Sequence, residues 1–116
     1  IYFNQSLHFN TSNVKNMSNM FNMCRSFNQP LNWNVSKVEN MQSMFADSGY
    51  NQPLNWNTSK VTDMQYLLNE CRSFNQPLHF DTSKVTNMDR MFSDCYSFNQ
   101  PLNFNTIKVT NPRKGY

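Results

Sequence analysis

The sequence predicts an α/β repeat fold: a solenoid of about five coils with a period of roughly 23–24 residues, each coil a short parallel strand plus a short helix or turn. Three observations predict it. A near copy of one segment recurs at a fixed period, the apolar spacing changes inside each period, and the composition is too poor in aliphatic residues for an ordinary core. "SFNQPLNWNVSKVENM" begins at Ser26, and its variants begin at Gly49, Ser73 and Ser97. The aromatic before "NQ" falls at Phe3, Phe27, Tyr50, Phe74 and Phe98, in an almost constant step along the chain. The step shortens by a single position, through a deletion between Ser48 and Tyr50.

A period of this length lies in the range of leucine-rich repeats, so the expected geometry is leucine-rich-repeat-like. The whole chain, 1–116, reads as a single repeat array with coils starting near those five aromatics. Because it opens inside a unit, it reads as a piece of a longer protein. Apolar residues make up 38% of the chain, and aromatics and the eight methionines dominate them. Asparagine is the commonest residue type and glycine occurs only twice, so Asn, Asp and Ser are expected to make the turns.

Each element follows from its own spacing. Leu31 and Trp33 alternate with Asn32 and Asn34, which reads as a strand with one apolar and one amide face. The same columns recur as Leu7 and Phe9, Leu54 and Trp56, Leu78 and Phe80, and Leu102 and Phe104. Next comes a solitary apolar column, Val14, Val38, Val61, Val85 and Val109, expected to turn the corner. Met41, Met44, Phe45 and Ser48 fall at i, i+3, i+4 and i+7, the stripe of a short helix. Asn16, Asn40, Asp63 and Asn87 stand where an N-cap side chain would hold the first free amides. Pro112 takes the methionine column of the last unit and ends the array.

The segments "FNQPLNWN", "SKVTNM" and "MFSDCYSFNQPL" resemble the BspA-like leucine-rich repeats, in the version with a repeat of about 25 residues associated with mycoplasma-type lipoproteins. The resemblance covers essentially the whole chain. It implies a curved repeat array with parallel strands on one side, within repeat-bearing surface proteins of bacteria, protists and some large viruses. It therefore implies a cell-surface or extracellular location, or a virion component. Ser48 departs from the cysteine of that column.

Little in the sequence points to chemistry. The net charge of +3 is spread along the chain, and no stretch reaches the roughly 18 apolar residues of a membrane span. Cys24, Cys71 and Cys95 occupy one inward column with Ser48, so they read as small buried hydrophobes rather than metal ligands. A bridge between Cys71 and Cys95 is sterically conceivable. His8 and His79 lie three units apart, and neither has a nucleophile at a comparable position, so no enzyme, cofactor or metal site is expected. Lys37, Lys60, Lys84 and Lys108 form a basic rim. Since the aromatics that would stack bases point inward, the rim reads as a solvated edge rather than a nucleic-acid track. Five Asn-x-Ser/Thr sequons begin at Asn4, Asn10, Asn16, Asn34 and Asn57.

The remaining surface feature is the outward strand face. One column holds His8, Asn32, Asn55, His79 and Asn103, and the next holds Asn10, Asn34, Asn57, Asp81 and Asn105. Amides donate and accept, so this grid suits a protein or glycan partner bound through many weak hydrogen bonds. It would equally serve as a ladder bonding to its own copies in adjacent units. The expected function is a non-enzymatic surface or interaction module. The alternative is a structural protein whose copies stack end to end or pack in a fibre or virion shell.

Overall fold

The stripe of Met41, Met44, Phe45 and Ser48 is buried, as its spacing demands, but no helix carries it. The computed structural model describes residues 3–104, and in it each expected helix is a run of overlapping four-residue turns. In the first unit the Met20, Asn22 and Cys24 amides close turns onto the Met17, Asn19 and Phe21 carbonyls at 3.4, 3.2 and 3.0 Å. The amides between them point elsewhere. Asn19, Phe21 and Met23 donate to Gln42, Met44 and Ala46 of the next unit at 2.9, 2.8 and 2.8 Å. An α-helix needs every amide to bond four residues back within its own segment, and here alternate amides cross to the neighbour.

Backbone dihedrals show how the turns are held open. Asn19 and Met23 have φ of 60° and 64°, and the same two columns are left-handed in the later units at Ser43 and Asp47, Tyr66 and Glu70, and Arg90 and Asp94. None is glycine. Asn19 and Met23 are each the third residue of a closed turn, the place where a type II turn requires positive φ. Such a residue every fourth position breaks any right-handed helical run.

The expected strands fare likewise. Alternation holds, since Leu31, Trp33, Leu54 and Trp56 are buried while Asn32, Asn34, Asn55 and Asn57 are exposed. Among the described residues no backbone ladder joins the units there. Pro30, Pro53, Pro77 and Pro101 precede the leucines and each removes an amide donor. Side chains bond across instead: the Trp33 and Trp56 indole N–H groups donate to the Leu7 and Leu31 carbonyls at 3.2 and 2.9 Å. Parallel pairing survives only as three isolated bridges, joining Asn16 to Asn40, Asn40 to Asp63 and Asp63 to Asn87.

The α/β, leucine-rich-repeat-like solenoid is therefore not the fold of this chain. Among the described residues there is no helix and no strand beyond those bridges. The radius of gyration is 13.2 Å, close to the roughly 13 Å of a compact globule of this length.

Neighbouring units are also joined by a column the strand reading overlooked, the "NQ" pair. Asn4, Asn28, Asn51 and Asn75 each turn their Oδ1 toward the next unit, accepting the amides of Asn28, Asn51, Asn75 and Asn99 at 2.8–3.0 Å. The Gln29, Gln76 and Gln100 Nε2 groups add a second donor to three of these oxygens at 3.1 Å. These bonds run from each unit back to the one before it, whereas the turn-edge amides donate forward to the one after.

Between the two edges the core is a set of ring stacks. Phe27 and Tyr50 lie 5.9 Å apart and Phe21 and Phe45 5.6 Å, with interplanar angles of 11° and 7°. Phe45 joins the two files by stacking on Tyr50 at 4.4 Å. Val38, Val61 and Val85 are fully buried at the corner and Val14 is half-buried, while Val109 and Pro112 lie outside the described residues. Gly49 absorbs the one-residue deletion: a Cβ there would collide with the Arg25 carbonyl oxygen.

Candidate binding face

The two asparagine columns of the outward face behave differently. In the second, the Oδ1 atoms of Asn10, Asn34, Asn57 and Asp81 accept the amides of Ser12, Ser36, Ser59 and Ser83, two residues on, at 3.0–3.2 Å. These side chains brace their own turns, as short polar residues commonly do. Asn105 lies outside the described residues. The Ser83 hydroxyl and amide hold the Asp81 carboxyl below its ordinary value, so this column carries one fixed negative charge. The expected ladder from copy to copy does not form at these positions.

The first column has no such employment. His8, Asn32, Asn55, His79 and Asn103 are all exposed, and their side chains make no hydrogen bond among the described residues. An exposed amide keeps two donors and an acceptor available to a partner.

Two shallow grooves open on this face, each at the junction of two units and each about 230 Å³ in volume. His8, Phe9, Pro30, Asn32 and Trp33 line the first with Leu7. His79, Phe80, Pro101, Asn103 and Phe104 line the second, with Pro77, Leu78 and Gln100. The two linings match column for column. Among the described residues, neither lining includes Lys, Arg, Asp or Glu, nor a Ser, Thr or Cys nucleophile.

Other candidates are dispersed. Lys37, Lys60 and Lys84 are exposed as a rim, with Lys37 Nζ donating to Asn13 Oδ1 at 3.1 Å, and Lys108 lies outside the described residues. The ion pairs among the described residues, Arg25 with Asp47 at 2.6 Å and Arg72 with Glu70 at 3.4 Å, do not involve the lysines. Among the described residues, Glu39 and Asp63 make no ion pair with Lys37, Lys60 or Lys84. Cys24, Cys71 and Cys95 are free thiols. Cys71 is buried against the Ser48 hydroxyl at 3.3 Å, and burial pushes its thiol up. Burial also raises Cys95, to about 12, and its thiol donates to the Leu68 carbonyl at 2.8 Å. No group of three metal-ligating side chains gathers among the described residues, and no helix there is long and apolar enough to cross a membrane.

The sequence reading missed the structural role of the "NQ" column, and a signal for it was present. Asn and Gln stand at those two places in all five units, whereas the face columns alternate between Asn, His and Asp. No curated protein and no solved structure matches the chain. One family model matches twice, over residues 1–55 and 47–114, with the overlap at the place where the period shortens. The chain belongs to that family, described as Mycoplasma protein of unknown function, DUF285.

Proposed function

We propose that the chain is a non-enzymatic surface or interaction module that presents its repeated amide and imidazole face to a protein or carbohydrate partner. The observation that carries this reading is the first column: among the described residues His8, Asn32, Asn55, His79 and Asn103 stay exposed and uncommitted, while the "NQ" asparagines and Asn10, Asn34, Asn57 and Asp81 are engaged in bonding. Membership of a mycoplasma family supports a surface role, as does the resemblance of "FNQPLNWN" and "SKVTNM" to BspA-like repeat surface proteins. Such a module works at the cell surface or outside it. Binding of the intact protein to protein and glycan arrays tests this, and silence on both counts against it.

Self-assembly is the second reading. It draws on Phe3, Phe9, Met20 and Met23 in the first unit and Tyr96 and Leu102 toward the other end, all exposed. Sedimentation over a range of concentrations separates the two, because a persistent monomer rules out stacking of copies.

A further inference from the structure

We infer that the two matching grooves of the outward face are equivalent subsites, each for one uncharged sugar ring of a glycan. This rests on the interaction-module reading and narrows it. Three observations converge on the ligand class. Each groove pairs an imidazole with an amide, His8 with Asn32 and His79 with Asn103, whose hydrogen-bonding atoms are uncommitted among the described residues. Each sets that polar pair beside two aromatic rings and a proline: Phe9, Trp33 and Pro30 in one and, at the matching positions, Phe80, Phe104 and Pro101 in the other. A pyranose offers the matching pattern, with hydroxyls around its edge and an apolar C–H face. The absence of Lys, Arg, Asp and Glu from both linings among the described residues disfavours an anionic or cationic ligand. A volume of about 230 Å³ suits a single ring and is smaller than the roughly 300–1,000 Å³ of sites for drug-sized molecules. Phe9, 65% exposed and 6.3 Å from Trp33, edges the first groove, whereas its counterpart Phe80 in the second is buried.

The test is a glycan array of neutral oligosaccharides probed with the intact chain, followed by titration of the best hit with the Trp33 and Trp56 indole N–H resonances as reporters. Binding should shift the Trp33 resonance and leave Trp56, which lines neither groove, unmoved. His8→Ala and His79→Ala should each weaken binding roughly tenfold and together abolish it, a loss comparable to one good hydrogen bond per site. Asn55→Ala, in the same column but outside both grooves, separates the grooves from the broad face and should weaken binding less than either histidine variant. All three positions are exposed, and unchanged thermal unfolding checks that the variants fold. Equal loss from Asn55→Ala would overturn the groove assignment while leaving the broad face as the site. Binding to proteins and to no glycan would overturn the sugar assignment alone. No binding of either kind would sink both readings.

Discussion

Replacing Tyr50 by Phe should stabilise the protein. Tyr50 is the one tyrosine in a ring column otherwise filled by Phe3, Phe27, Phe74 and Phe98, and it is completely buried. Its hydroxyl has no hydrogen-bond partner among the described residues. The backbone of Leu31 approaches the hydroxyl without closing a hydrogen bond to it. A buried hydroxyl left unpaired costs about 1–3 kcal/mol, and deleting it leaves a small void that returns part of this. The ring stacks on Phe27 and Phe45 are untouched by the change. The net expectation is a gain of about 1–2 kcal/mol, seen as a higher urea midpoint at unchanged slope and a melting temperature raised by roughly 4–8 °C. Tryptophan fluorescence and circular dichroism report the same transition. Alkaline pH supplies an independent check. Burial holds the Tyr50 hydroxyl well above its ordinary value of 10.0, so above about pH 10 the unfolded chain gives up a proton that the folded chain keeps. Stability contributed by that difference is fully present at neutral pH and is lost as pH rises past 10, more steeply for the parent than for Tyr50→Phe. A variant less stable than the parent by about 1 kcal/mol or more would refute the reasoning, because it would mean that the hydroxyl is bonded.

Three further outcomes follow from other features. Met23→Gly should stabilise by about 0.5–1 kcal/mol in the same urea assay, because relief of a left-handed methionine outweighs the added chain entropy of glycine, whereas Met23→Ala should bring no such gain. Asn51→Ala should cost about 1–3 kcal/mol, since its Oδ1 accepts both the Asn75 amide and Gln76 Nε2; Asn55→Ala should change stability by less than about 0.5 kcal/mol. Cys95, its thiol raised to about 12 by burial, should resist iodoacetamide at pH 8 in the folded protein and label once urea unfolds it, with site-resolved mass spectrometry as the readout.

In the middle units, which side chains face inward was legible from spacing alone, whereas Phe9, Met20 and Leu102 of the same columns in the end units are exposed. Leu31, Trp33, Val38 and Met41 are buried and Asn32 and Asn34 exposed, as alternation and the 3–4 stripe require. The backbone that delivers this pattern was not legible. A run of turns with left-handed residues every fourth position buries the same stripe as a helix, and Tyr66 or Arg90 gives no hint of positive φ in the way a glycine would. Strand spacing was likewise preserved without a ladder, and the proline ahead of each leucine was the available warning. The candidate face was legible as a surface, but not the split within it. Asn34 followed two residues later by Ser36 is an Asx turn, which uses one column and leaves the other open.

The opposed directions of the two bonded edges have an electrostatic consequence. In a helix all peptide dipoles align, and partial charges accumulate at the ends. Here the Asn28 amide donates backward to Asn4 while the Phe21 amide donates forward to Met44, so each junction between units carries bonds of both senses. Their dipoles oppose one another along the array. Each added unit therefore contributes less charge separation than its forward bonds alone would give, and a longer run of these repeats would build up its dipole more slowly with length than aligned peptides do.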